Sequence, residues 1–572
     1  MKTDYSPHTL SCCARAGYEN LSAWADLLDT INVYPVPDGD TGMNLRVSLA
    51  PLRDCDLSSD APLQQMKACG HGNSGNIAVA FFCEFLRQGV SLSGQAATGR
   101  DRAFRAISRP RSGTMLDVFD GLCRLLAESD PELPKHQDIR EHLQRVVAGS
   151  RSSLPQLEAA GVVDAGALGM FLFFDGFFRK LSGGQESPAP LPELFSGMLS
   201  VADSFVSLEK DDHCVEFTLA TDDGGDDLPE QIGALGSSAV ISSSPSGLKV
   251  HLHTEDPADL RQNLARFGKV QDWTDECMDS MARIREESRF CSNRVRIMTD
   301  AAASIPLALA RSHGLILLDS YILTSGQAVP ESLFAPGELY ALMRKGQKVT
   351  TAQASNEERH LHYQAACSQH NNVLYIATGS AFTGNYATAL AWKKGHDAAG
   401  NMEVVDSGAA SGRLALIALL AARLAATGAS MADLLSYVSR LVDAAKEYVF
   451  INEMKYLVAG GRVSRTRGLF ADIFHMKPVI SPMAEGVRRM AVLRSREAQL
   501  EYVFEKLDGA TDPLLLLQYT DNKQWLSEDV AALFRRNLPG AEILLLPLSL
   551  TSGVHMGPGT WSVAVSSSRI PA

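Results

Sequence analysis

The chain has 572 residues, more than one ordinary domain holds, so about three or four domains are expected. Hydrophobic residues make up 45% and charged residues 21%, as in soluble globular proteins, so each domain can bury a core. A formal net charge of −13 argues against general nucleic-acid binding, which needs Lys/Arg surfaces against phosphate. Met1–Leu10 lacks the apolar core of a signal peptide. The longest apolar stretch, Leu414–Ala426, carries Arg423 and is too short to cross a bilayer, so it reads as a buried helix. The ten cysteines are scattered without a ladder of spacings, which points to free thiols in a reducing cytoplasm.

Residues 1–180 read as helical. Apolar-periodic stretches at Leu21–Leu28, Ile77–Leu86, Met115–Leu126, Ile139–Val147 and Leu168–Leu181 are separated by short Gly/Pro/Asp segments. Ser182–Pro192 has linker composition. Residues 195–285 change character: strand-like runs at Val215–Ala220, Ala239–Ser242 and Leu248–His253, with a Gly/Asp turn cluster at Asp222–Asp227, predict a small α+β domain. Charged residues dominate Trp273–Arg296, which reads as a second linker. From about Arg294, strands and helices alternate. Val295–Met298, Val373–Ala377, Met402–Val405, Leu514–Leu517 and Ile543–Pro547 predict the strands of an α/β region, with a helix at Tyr386–Trp392.

Asp38-Gly39-Asp40 places two carboxylates around a glycine that lets both face one site, a donor set suited to Mg²⁺. Thr41 and Asn44 add neutral oxygens or donors. An Asp-Gly turn by itself is commonplace on surfaces. Two further loops change that weighting. His71-Gly72-Asn73-Ser74-Gly75-Asn76 opens a helix, where unpaired N–H groups meet phosphate, and Gly161–Gly166 opens another. No Walker A or protein-kinase glycine loop is present.

In this order, Asn32–Asn44, Gly72–Gly75, Gly113-Thr114 and Gly161–Gly169 resemble the nucleotide-binding domain of bacterial fatty acid kinase, a relative of the ADP-binding subunit of dihydroxyacetone kinases. The resemblance covers roughly residues 1–185. It implies an all-α helical barrel that binds ATP and two Mg²⁺ ions. Asp38 and Asp40 would hold the metals as the catalytic ligands. Asn73 and Ser74 would cradle phosphates beside Gly72, and Gly113, Thr114, Asp164 and Gly166 would line the nucleotide pocket. Dihydroxyacetone kinases carry a third aspartate upstream; Asn32 stands near that place here and is the further Mg²⁺ candidate.

His251 and His253 flank Leu252 on a predicted strand, and period-two alternation puts both imidazoles on one face, able to chelate. With Cys214 on an earlier strand they suit Zn²⁺. Taken singly, an H-x-H pair is often an ordinary strand face and a lone Cys is usually core. Cys214–Phe217 and Lys249–Pro257 resemble the fatty acid kinase middle domain, in which the matching Cys and two His bind zinc. His213 is the candidate fourth ligand.

Thr299-Asp300 ends the first α/β strand, where open parallel sheets place ligands. Val295–Pro306, Thr351–Ser355, Thr383–Tyr386, Gly460–Arg462, Lys477-Pro478 and His555–Gly559 resemble the DegV family of fatty-acid-binding proteins over about 294–570. The resemblance implies that Thr351, Thr383 and His555 hydrogen-bond a fatty acid carboxylate, with Gly384 and Gly557 beside them. It also implies that Arg462, grouped with the catalytic residues, supports engagement with the kinase. Several family hydroxyls are replaced: Ala301-Ala302-Ala303-Ser304, Ala352 and Ala354, and Asn385 stand where the family motifs read otherwise.

Together these resemblances imply three parts. Residues 1–185 form the ATP/Mg helical domain, 195–285 an α+β domain with a candidate Zn site, and 294–572 a DegV-like α/β region of two subdomains. The expected activity is ATP-dependent phosphorylation of a long-chain fatty acid to acyl phosphate by a cytoplasmic protein without a transmembrane segment. A homodimer and a transient membrane-surface contact are further expectations. The competing readings are a non-catalytic lipid-binding or sensing protein, and a kinase for a small hydroxyketone such as dihydroxyacetone.

Overall fold

The computed structural model describes residues 5–87, 91–129, 132–184, 190–205, 213–220, 228–244, 247–277, 295–324, 327–459, 477–509 and 512–567. Arg462 and the Asp222–Asp227 turn cluster lie outside the described residues. The chain divides into two compact units, Met1–Glu286 and Glu287–Ala572.

The first unit begins with helices α1 (Pro7–Ala23), α2 (Ala25–Ile31), α3 (Thr41–Leu49), α4 (Ala61–Cys69), α5 (Gly72–Phe85), α6 (Leu92–Arg105), α7 (Met115–Ser129), α8 (His136–Ser150), α9 (Pro155–Ala160) and α10 (Ala165–Leu181). Leu21–Leu28 is two helices rather than one: the chain turns at Trp24, whose N–H bonds back to Leu21 O. α10 is apolar on every side because it is surrounded, packing on α1, α2, α3, α7 and α8. Glycines permit the closest approaches. A Cβ on Gly17 would sit 2.7 Å from Phe173 O, and one on Gly176 would sit 2.5 Å from Ala16 O, so α1 and α10 touch backbone to backbone. The filling between helices is phenylalanine: Phe81 stacks on Phe119 at 4.0 Å and meets Phe174 edge-on at 5.7 Å.

The same unit carries a four-stranded sheet with strands β1 (His213–Ala220), β2 (Ser237–Ser244), β3 (Gly247–Thr254) and β4 (Lys269–Cys277) in the order β2-β3-β1-β4. All its pairings are antiparallel. Residues read as linker, Trp273–Cys277, are therefore half of an edge strand. Their charge belongs to the strand's exposed side, while the Trp273 ring stacks on Phe217 at 5.6 Å beneath Arg261. The sheet is tied to the helices by main chain: Ile241 N–H donates to Ala106 O (3.0 Å), and Ile107 bridges Val240.

The second unit is α/β. A parallel sheet runs β11 (Met402–Asp406), β10 (Val373–Ala377), β5 (Arg296–Asp300), β6 (Ile316–Leu318). A small antiparallel sheet joins β8 (Gln327–Pro330), β7 (Ser320–Thr324) and β9 (Val349–Gln353). A six-stranded mixed sheet orders β14 (Gly486–Leu493), β13 (Lys477–Met483), β12 (Lys446–Phe450), β17 (Trp561–Ser567), β15 (Pro513–Tyr519) and β16 (Glu542–Pro547). The apolar stretch Leu414–Ala426 lies in the helix Ser411–Ala426, which packs on β5 of one sheet and on β12, β15 and β17 of another. Burial from both sides explains why it lacks a polar face. No helix among the described residues is long and apolar enough to cross a membrane.

Candidate functional site

Glycine contacts bring the first two loops together. Gly72 has φ +61°, and a Cβ there would fall 2.0 Å from the Asn44 side chain; one on Gly75 would fall 2.0 Å from Ser48 Oγ. The N-terminal turns of α3 and α5 therefore adjoin, and Ser74 Oγ donates to Thr41 O at 3.4 Å. A Cβ on Gly166 would meet Met115 Cε at 2.7 Å, joining the starts of α10 and α7. One on Gly169 would meet Leu45 Cδ1 at 2.5 Å, setting α10 beside α3 at the same level. Four helix N-termini thus gather at one end of the bundle, where unpaired N–H groups favour phosphate. Gly113 (φ +86°) donates its N–H to Asp117 Oδ2 at 2.7 Å, with Thr114 next in the loop. Asp164 caps α10 by accepting from Ala167 N at 2.7 Å. Burial pushes its carboxyl up to about 7, with the Asp117 charge adding to the rise.

Asp38 and Asp40 enter α3 at this end, with Asp40 at its N-cap position. Loss of water and the adjacent Asp40 and Asp29 charges push the Asp38 carboxyl well above the ordinary range. Asn32 meets this carboxylate as a donor, Nδ2 to Oδ1. Asp29, not marked by any sequence signal, accepts from Gly42 N (2.6 Å) and Met43 N (3.1 Å) and so fixes the start of α3. Asn73 Oδ1 is buried without a hydrogen-bond partner among the described residues. Crowded carboxylates lacking a counter-charge, beside an orphaned oxygen and helix N-termini, fit a cation-bound phosphate group.

The second cluster forms where β1 pairs with β3. The register sets Cys214 opposite His253 and Glu216 opposite His251. Candidate ligand atoms of Cys214, His251 and His253 all lie within 4.8 Å of one another. His251 Nε2 is 3.3 Å from His253 Nε2 and 3.8 Å from Cys214 Sγ. Tetrahedral zinc with ordinary bond lengths would separate N from N by about 3.3 Å and N from S by about 3.6 Å. Burial lowers His251 to about 3, with the His253 charge contributing, and His253 to about 4. Both rings are neutral near pH 7 with lone pairs to offer, and His253 Nδ1 is a buried orphan. The residues therefore fit Zn²⁺. His213 does not join them: it sits one residue from Cys214 on the opposite face, where its Nδ1 meets Asp275 Oδ1 at 3.2 Å.

In the second unit Thr351 Oγ1 lies 3.1 Å from His555 Nε2, although the residues are 204 apart in sequence. Gly384 approaches Gln353, two residues along β9 from Thr351, and Thr383 Oγ1 accepts from Asn385 N at 3.3 Å. Gly557 (φ +85°) lies against the Tyr456 ring. Asp300 is not an open ligand. It is fully buried and accepts from Tyr375 Oη, Thr378 N, Thr378 Oγ1 and Asn385 Nδ2, each at 2.8 Å, and from Arg359 Nη1 at 3.1 Å. Its carboxylate anchors the loop that carries Thr383.

Residues 35–179 match the DAK2 domain and residues 294–568 the DegV family. The architecture is thus a kinase-family helical domain and a DegV domain in one chain. Residues 210–284 match the fatty acid kinase A-like middle domain, so the first unit combines both parts of that kinase type. Among curated proteins, the chain is 28% identical over 293 residues to an uncharacterized protein of Staphylococcus saprophyticus, covering 44% of this chain and 52% of that protein. It is 25% identical over 270 residues to a DegV domain-containing protein of Caldanaerobacter subterraneus, covering 46% and 96%. The chain spans about half the length of the first curated relatives it matches. A solved fatty-acid-binding DegV family protein from Thermus thermophilus is 22% identical with a TM-score of 0.45, covering 48% of this chain and 99% of that one.

Proposed function

We propose that the chain transfers the γ-phosphoryl group of ATP to a long-chain fatty acid carboxylate, giving acyl phosphate and ADP. The observation that carries this reading is the Asp38/Asp40 pair at the joined N-termini of α3 and α5, within a DAK2-type domain. The N–H groups of these turns hold phosphate oxygens, and Thr41, Asn44, Asn73 and Ser74 orient them. Asp38 and Asp40, with Asn32 beside them, would hold Mg²⁺, which neutralises charge on the phosphoryl oxygens. Cys214, His251 and His253 would hold Zn²⁺, a Lewis acid able to take an anionic oxygen.

A fatty acid carboxylate is already ionised at neutral pH, so its oxygen attacks phosphorus without a general base. The new P–O bond forms as the bond to the β-phosphate oxygen breaks, and ADP leaves with that electron pair. The DegV unit supports the acceptor. Thr351 and His555 pair as donors for a carboxylate head group, and the neighbouring core of Ile322, Leu339, Tyr340, Tyr456, Leu550 and Val554 is apolar. Joining both units in one chain raises their mutual concentration, on the order of mM for a short flexible tether.

The test incubates the full chain with MgATP, with and without oleate, and traps acyl phosphate as hydroxamate. Wild type is expected to form hydroxamate only with oleate, and Asp38→Ala and Asp40→Ala to lose it. No oleate-dependent hydroxamate from wild type sinks the kinase reading. Unchanged turnover in both variants sinks the site assignment.

A further inference from the structure

Alternation along β1 and β3 puts Glu216 on the same sheet face as Cys214, and Lys249 on the same face as His251 and His253. Glu216 is buried, directly opposite His251 in the register. Its carboxylate has two cationic neighbours. Lys249 Nζ, from the same sheet, lies 3.1 Å from Oε1. His71 Nδ1, from the helical domain, lies 2.5 Å from Oε2.

His71 immediately precedes Gly72 at the N-cap position of α5, and its N–H donates to Ser48 Oγ of α3 at 2.9 Å. Its ring is therefore attached to both helices that form the phosphate end. The Glu216 bond and charge, and more weakly the Asp40 charge, raise the His71 proton affinity, so the ring stands within the field of the Asp38/Asp40 loop. Polar groups thus run without interruption from Asp40 through His71 and Glu216 to His251. This line crosses between helices and sheet, which are also joined by the main-chain bonds at Ala106–Ser108.

Resting on the functional reading above, we propose that Glu216 is a positioning residue that couples a divalent cation held by Cys214, His251 and His253 to nucleotide bound at the α3/α5 loops, acting through His71. A carboxylate shared between His71 and the metal-cluster face responds to charge placed on either side. A cation at the cluster alters its hold on His71, and with it the first turn of α5. The two ligands then change each other's affinity by one common factor.

The experiment uses the metal-free full chain. Zinc affinity is measured by competition with a chromophoric chelator, with and without MgADP, and MgADP affinity is measured with and without zinc. Wild type is expected to show the same ratio in both directions, about fivefold or more. Glu216→Gln and His71→Gln bind both ligands with a ratio near one. Lys249→Met, which removes the other partner of the same carboxylate, keeps the wild-type ratio. A wild-type ratio of one overturns the proposal, and so does a wild-type ratio retained in Glu216→Gln. If Glu216→Gln does not fold, the half-exposed His71→Gln decides by the same criterion. Wild type that binds no MgADP overturns the functional reading and the coupling together, whereas independent binding of both ligands overturns the coupling alone.

Discussion

Replacing Asp300 by alanine removes the acceptor of five hydrogen bonds and strands the Arg359 guanidinium, which is only 2% exposed. Leaving one member of a buried ion pair uncompensated costs about 3–5 kcal/mol. The orphaned Thr378 N–H adds to this, though such terms do not sum within one network. In a domain of this size each kcal/mol lowers the melting temperature by about 2–4 °C, so the second unit should melt roughly 10 °C lower. Calorimetry of the full chain reads that transition, and the first unit's transition is the internal reference. The double change Asp300→Asn with Arg359→Met removes both charges and should recover part of the loss. A shift below about 3 °C in Asp300→Ala would refute the assignment of Asp300 as the counter-charge of Arg359. The same variant loosens Asn385 and Thr378, so fatty acid retention should fall along with stability.

Three further outcomes are expected. Gly42→Ala would put a Cβ 2.0 Å from the Ala25 carbonyl oxygen, forcing α2 from α3 at a cost of about 1–3 kcal/mol; a thermal shift with MgADP checks it, and an unaltered MgADP response would contradict the close approach. Thr351→Val removes the hydroxyl that meets His555 and should weaken binding of a fluorescent fatty acid by about 1 kcal/mol, close to fivefold; equal affinity counts against a carboxylate site there. Glu331 is buried, and burial, with the Asp319 charge adding, raises its carboxyl from 4.5 to about 7. The folded form therefore holds its proton more tightly, and this contribution to stability is full below about 4.5 and lost as pH rises through about 7. Glu331→Gln does not titrate, so its melting temperature relative to wild type should rise between pH 5 and pH 8; a constant difference would show that Glu331 does not carry the effect.

Local pattern carried much of the architecture. The helices of the first 180 residues, the strands Val373–Ala377 and Ile543–Pro547, and the shared face of His251 and His253 follow from periods of 3.6 and 2 within short windows. The glycine-bearing loops before α3, α5 and α10 were legible for the same reason: helix starts have local chemistry. Errors arose where a local signal competed with another. Trp273–Cys277 is too charged to announce an edge strand, and the apolar run Leu21–Leu28 conceals the turn at Trp24.

Tertiary structure alone decided which of these pieces meet. Strand register set Cys214 against His253 and turned His213 away; a slip of one residue would reverse both. Helix packing put Asp29 under Gly42, and the closure of helices onto sheet put His71 on Glu216, 145 positions away. Asp300 looked like a ligand from its place at a strand end, but a buried charge must find partners, and here Arg359, Tyr375, Thr378 and Asn385 supply them. The sequence by itself determined the elements and the kinds of donor each carries, because these depend on neighbours a few residues apart. The pairing of those donors into sites depended on register and burial, which are properties of the packed chain.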